Sequence, residues 1–215
     1  MGYDAQVAPS RFVHVKRCER PVASKQIAAV LFGDANPSGK TPMTFLKDWK
    51  DSPAFGNYPG ENGTVNYREG LYVGYRHFDK NNIEPQFAFG HGLSYTTFEY
   101  SDLTVSPATV APGQPVQVRL RVRNAGLRDG AEVVQLYLHD VKSSVDRPVK
   151  ELKAFHKITL KPGETQPVSF TLDKSAMAFY DAAKQDWFAE PGTFEILVGA
   201  SSRDIRLTTS FQLTK

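Results

Sequence analysis

From residue 98 onward, apolar and polar residues alternate with a period of two. In VQVRLRVRN (116–124), Val116, Val118, Leu120 and Val122 alternate with Gln117, Arg119, Arg121 and Arg123. That is the pattern of a strand with one face buried and one in water. EVVQLYLH (132–139) sets Val134, Leu136 and Leu138 against Val133, Gln135 and Tyr137. Further strands are expected over 100–105, 152–160, 167–172, 194–198 and 205–213. Turn residues separate them at Pro112-Gly113, Asn124-Ala125-Gly126, Lys161-Pro162-Gly163, Pro191-Gly192 and Ser201-Ser202.

Seven short strands with turns at this spacing predict a mainly β fold, an antiparallel β-sandwich of immunoglobulin or fibronectin type III character over 99–215. The chain has one cysteine, Cys18. The cysteine pair of antibody domains is therefore absent, which favours the fibronectin branch.

The pattern upstream is different. KQIAAVLF (25–32) puts Ile27, Val30 and Leu31 at helical spacing, with Ser24 as the expected N-cap and Gly33 just past the end. Residues 34–39 are turn-formers, and 41–45 (TPMTF) read as a short strand. Helix, turn and strand make half of an α/β unit. Residues 46–98 show no period, yet they hold eleven aromatic residues: Trp49, Phe55, Tyr58, Tyr67, Tyr72, Tyr75, Phe78, Phe87, Phe89, Tyr95 and Phe98. So many large apolar rings are not expected to stay in water. This connector is expected to lie across another surface. The expected organisation is thus an atypical segment 1–24, a short α/β remnant 25–45, an aromatic-rich irregular connector 46–98, and the sandwich 99–215.

Charge changes this picture little. The 26 Lys and Arg against 23 Asp and Glu leave a net +3, too balanced to argue for nucleic acid. No run approaches 18 apolar residues, so no membrane-spanning helix is expected. The first 24 residues have no apolar core of a secretory signal, and the compartment stays open.

Several motifs suggest chemistry. Gly33 to Thr41 resembles a phosphate-binding loop, but five residues separate its glycines where four are needed, and Pro42 follows where a helix should open; it reads as a turn. Arg119, Arg121 and Arg123, with Lys150, Lys153, His156 and Lys157 elsewhere, are either a surface for polyanions or polysaccharides or simply the solvated faces of strands. The five histidines have no metal-ligand spacing, and neither metal nor cofactor is expected. Cys18 makes a weak nucleophile candidate. Asn62-Gly63-Thr64 fits a glycosylation sequon, which matters in a secreted eukaryotic protein. Glu61, Glu69, Asp79 and Glu84 lie within the aromatic segment, where a sugar could stack. Glycoside hydrolysis needs two carboxyl groups about 5–9.5 Å apart, and position in sequence does not set that separation.

Three stretches carry a resemblance: VLFGDANPSGKTPMTF (30–45), YREGLYVGYRHFDKNNIEPQFAFGHGLSYTTFEYSDL (67–103), and AEVVQLYLHD with RPVKELKAFHKITLKPGE (131–164). With EPGTFEILVGASSRDIRL (190–207), they resemble the C-terminal end of glycoside hydrolase family 3, the β-glucosidase type, over about 25–215. The resemblance implies that 25–45 close the family's α/β sandwich domain, that 46–98 are a connector, and that 99–215 are the fibronectin type III-like domain. The family's nucleophile lies in an N-terminal barrel, in a motif near Ser-Asp-Trp, and its acid/base residue lies earlier in the second domain. Here the one Ser-Asp, Ser101-Asp102, is followed by Leu103, and VKRCERPVAS (15–24) replaces the family's aromatic and glycine-rich stretch. The resemblance therefore implies a C-terminal piece, from a shortened gene, a changed reading frame or a trimmed chain.

On this reading the chain is an accessory, interdomain-packing region of an enzyme acting on terminal β-linked sugars. It has no catalytic residue of its own, and its partners are the parent's catalytic domains, with carbohydrate as a further ligand. Two alternatives stand beside it. One is a free-standing carbohydrate-binding or adhesive module, for which Tyr137, Tyr180, Trp187 and Phe188 are available. The other is a minimal hydrolase using the carboxylates of 61–84.

Overall fold

The computed structural model describes residues 20–215; Cys18 and the rest of 1–19 lie outside the described residues. Two sheets face each other. One is three-stranded, with β1 (Phe98–Ser106), β3 (Val116–Asn124) and β6 (Thr165–Leu172) in the order β1-β3-β6. The other holds β2 (Thr109–Val110), β4 (Gly130–Asp140), β5 (Glu151–Leu160), β9 (Gly192–Gly199) and β10 (Ile205–Leu213), in the order β2-β10-β9-β4-β5. A separate hairpin pairs β7 (Phe179–Asp181) with β8 (Asp186–Phe188). All pairings are antiparallel except β2 with β10.

The period-two pattern places the core. Val116, Val118, Leu120 and Val122 are buried, and the register sets Leu172, Phe170 and Val168 opposite the first three. From the facing sheet, Val134, Leu136, Leu138, Phe194, Ile196 and Val198 enter the same cluster. Phe194 stacks on Phe211 with ring centroids 5.5 Å apart. Deep alternating burial on both inner faces is what holds such a sandwich together. The seven expected strands are all present. The additions are β2, β7 and β8, each of three residues or fewer, too short to show a period.

Upstream, three expectations change. Helix α1 spans Arg20–Leu31, so Ser24 lies inside it rather than capping it. Pro21 near its start is compatible with a first helical turn. Residues 41–45 are not a strand. Thr41 and Phe45 exchange backbone hydrogen bonds with the 86–91 segment, but the only ladder contact is an isolated Phe45–Phe87 bridge. The chain bends at Pro42 and Met43, between the two bonded residues, and this interrupts the ladder. The connector, finally, does not all await a foreign surface.

Its second half is built onto the outer face of the five-stranded sheet. Helix α2 (Tyr75–Lys80) opens after Gly74 and buries Phe78. The Tyr75 ring meets Phe89 and, edge-on, Tyr137, with centroids 5.1 and 5.9 Å apart; the Tyr75 hydroxyl accepts from the Leu152 N–H. As a result Gln135 and Tyr137, on the face of β4 that alternation assigns to solvent, are buried. The Tyr137 hydroxyl donates to Gln135 Oε1 at 2.6 Å, and the Gln135 amide donates to the carbonyls of Gly90 and Ala200. Gly90 has φ +78° and passes so near Gln135 that a Cβ would lie 2.2 Å from its Oε1. Only glycine fits this approach.

Candidate functional site

Helix α2 brings two charged side chains to the sandwich. Asp79, with its side chain 3% exposed, pairs with Lys150 Nζ and with Arg203 Nε at 3.2 Å. One turn earlier, Arg76 pairs with Glu151 at 3.0 Å. Glu151 also meets Arg147 at 3.0 Å and Lys153 at 3.3 Å, and Arg147 bridges to Asp140 at 3.1 Å. Arg203 donates further to the carbonyls of Phe78 and Ile83. Five cations thus enclose three carboxylates along the seam between connector and sandwich. At its rim, Lys80 and the Tyr72 hydroxyl both reach Asp146.

The excess of positive charge shows in the ionisation of the seam. Burial alone would raise the Glu151 carboxyl, but Lys153, Arg147 and Arg76 outweigh it and hold Glu151 below the usual carboxylate range. Burial lowers Lys153, and the like charges of Arg147 and Arg76 add to the lowering. A depressed carboxylate contributes stability that is full above its unfolded pKa, about 4.3, and is lost as pH falls through the lower folded value. Acid unfolding is therefore expected to gain a component below about pH 4.3. Glu151→Gln should be less stable than the wild type at pH 7, with the gap narrowing by pH 3. Denaturant titrations at the two pH values check this; an unchanged gap would contradict it.

The four sequence-derived carboxylates meet different surroundings. Asp79 is held by two cations in the seam. Glu61 is exposed in a tight turn bridged to Thr64, Glu84 is exposed, and Glu69 keeps Oε2 buried with no hydrogen-bond partner. Asn62 of the sequon is exposed in that same turn, with φ +51°. The basic residues are divided as well. Lys150 and Lys153 belong to the seam, Lys157 donates to Ser38 Oγ at 3.0 Å, and His156 stands opposite Val134. Arg119, Arg121 and Arg123 lie on the other sheet, exposed.

The 33–41 loop is a structural clasp. Lys40 pairs with Glu132 at 2.9 Å, Thr41 Oγ1 donates to the Ala88 carbonyl, and Asn36 accepts from the Tyr95 N–H and Ser94 Oγ and donates to the Asp129 carbonyl. Of the aromatic residues proposed for sugar stacking, Tyr137 is unavailable because the connector covers it. Tyr180 and Trp187 are exposed on the β7–β8 hairpin, but their ring planes stand at 71° and form no shared platform. Among the described residues there is no cluster of three metal-ligating side chains, and no helix is long and apolar enough to cross a membrane.

Sequence reasoning missed Arg147, Glu151 and Arg203. Each is a charge in a turn or a strand, with a partner that can lie over a hundred residues away, as Arg203 does from Asp79. The first half of the upstream region keeps many large apolar side chains exposed. Ile27, Leu31 and Phe32 on and after α1, with Met43, Trp49, Tyr58, Tyr67 and Leu71, are all more than half exposed.

Residues 21–95 match the glycosyl hydrolase family 3 C-terminal domain, and residues 132–202 match the fibronectin type III-like domain. The chain belongs to glycoside hydrolase family 3, in its C-terminal part. It is 52% identical over 187 residues to thermostable β-glucosidase B of Acetivibrio thermocellus, covering 87% of this chain and 25% of that protein. It is 43% identical over 195 residues to a β-glucosidase of Bacteroides ovatus, covering 89% and 26%. Its fold matches β-glucosidase 3B from Thermotoga neapolitana, solved with α-D-glucose, with a TM-score of 0.81 and 44% identity over 88% of this chain and 26% of that one. The chain spans about a quarter of the length of these family 3 relatives.

Proposed function

We propose that this chain is the accessory, interdomain-packing region of a β-glucosidase-type enzyme and is not catalytic by itself. The division into an α/β remnant to residue 45, a connector to 98 and a sandwich from 99 belongs to this reading. The observation that carries it is the split behaviour of the upstream region. Residues 75–97 are fastened to the sandwich through the seam, Tyr75 and Gln135. Residues 24–73 meanwhile leave many large apolar side chains in solvent, with Leu31 74%, Phe32 84% and Tyr67 81% exposed. Exposed apolar surface of this kind marks a protein interface. The sandwich and seam would act as the rigid base that presents it to the parent's catalytic domains.

The parent would hydrolyse terminal β-linked glucosides with retention, which requires a nucleophilic carboxylate and a separate acid/base group. Among the four candidate carboxylates, Asp79 is committed to two cations, one on each oxygen, and so has no free oxygen to attack a sugar or carry its proton. The 215-residue chain should accordingly give no turnover of aryl β-glucosides above the uncatalysed rate. Turnover abolished by Glu69→Gln or Glu61→Gln would instead support a minimal hydrolase and overturn the proposal.

A further inference from the structure

We propose that the outer face of the three-stranded sheet binds an acidic polysaccharide along a ridge of arginines. Register builds the ridge. Arg119 stands between Thr104 and Ser169, Arg121 between Ser101 and Pro167, and Arg123 between Glu99 and Thr165. Apart from Glu99 these neighbours are short, so the guanidinium groups rise above the sheet. Alternate residues of one strand repeat at about 6.7 Å, giving three cations in a line.

The line is poorly neutralised. Arg123 reaches Glu99 at 3.4 Å in a pair more than half exposed on both sides, and exposed pairs of this kind hold weakly. Arg119 and Arg121 have no carboxylate within ion-pair distance among the described residues. The protein elsewhere matches its half-buried cations to carboxylates, as the seam shows. Here two guanidinium forks are left facing solvent, with a geometry suited to bidentate carboxylate or sulfate groups.

The ridge is also open. The upstream region bonds mainly to β4, to β5 and to the loops at their ends, on the five-stranded side, and meets β3 at its end, where Thr96 donates to Asn124. The outer face of β1, β3 and β6 lies on the other side of the sandwich from these contacts. No aromatic residue points outward from this sheet, so it lacks the stacking surfaces of single-stranded nucleic acid sites. The hydroxyls of Ser101 and Ser169 flank the ridge and can bond sugar hydroxyls. The choice of polysaccharide over other linear polyanions rests on the glycosidase reading above.

The test is binding of the full 215-residue chain to immobilised polygalacturonate at 50 mM NaCl, with dextran and single-stranded DNA as comparison surfaces. Binding should be measurable to polygalacturonate, absent on dextran, weaker on DNA, and should fall steeply with salt. Arg119→Gln with Arg121→Gln should weaken it about tenfold, as two lost surface pairs would. Arg119→Glu with Arg121→Glu should abolish it, with thermal melts confirming that each variant is folded. Lys142→Gln with Lys174→Gln, which removes the same charge from other exposed positions, should change it less than twofold. Equal loss in that control pair, equal binding to dextran or DNA, or no effect of the arginine changes would overturn the proposal. None of these readouts needs the catalytic domains, so a negative result leaves the docking reading untouched.

Discussion

Asp79→Ala is expected to destabilise the protein by about 3 kcal/mol, at the low end for breaking a buried ion pair. The cost comes less from the lost attraction than from what stays behind. Lys150, with its side chain only 11% exposed, would face the seam without its carboxylate, and Arg203 would keep only the Phe78 and Ile83 carbonyls. Such a loss lowers the melting temperature of a chain this size by roughly 6–12 °C. Adding Lys150→Met should restore part of it, because it removes the more buried of the two cations left without a carboxylate, while the more exposed Arg203 keeps the Phe78 and Ile83 carbonyls. A change below about 0.5 kcal/mol in the single variant, the range of ordinary surface substitutions, would show that the seam does not fasten the connector.

Phe194→Ala should cost more still, about 3–5 kcal/mol. Phe194 is fully buried on β9 and stacks on Phe211 of the neighbouring strand. Its removal leaves a cavity walled by both sheets, which a rigid sandwich cannot close. Phe194→Leu, which fills most of that volume, should cost less than half as much. Urea titrations of the three proteins separate these outcomes. Equal stability of the alanine and leucine variants would place Phe194 outside the rigid core.

The two variants probe layers that differ in how far they can be read from sequence. The inner layer is legible because each residue of β3 meets one environment, core or water, so Val116 to Val122 keep strict alternation. In β4 the same rule assigns Val134, Leu136 and Leu138 correctly to the core and misassigns Gln135 and Tyr137. Their outer face is covered by Tyr75, Phe89 and Gly90, which are 45 or more residues away and carry no local period. The seam is harder still, since Asp79, Lys150 and Arg203 are ordinary charges until α2 is placed against β5. The 41–45 stretch fails for a backbone reason, because propensity favours extension while the chain bends at Pro42 and Met43. The family's wording over 30–45 and 67–103 identifies the chain more readily than any periodicity does, since these residues sit where docking rather than alternation sets the choice.

The central claim is that this chain serves catalysis only through domains it docks against. The most direct test uses the 52% identical relative, thermostable β-glucosidase B of Acetivibrio thermocellus. That enzyme is truncated before the region matched here, and the truncated part is co-expressed with this chain. The two pieces should co-purify and hydrolyse an aryl β-glucoside, while each alone does not, and Leu31→Asp with Phe32→Asp should abolish both association and rate. Hydrolysis by the chain alone, or full activity of the truncated relative without it, would contradict the account.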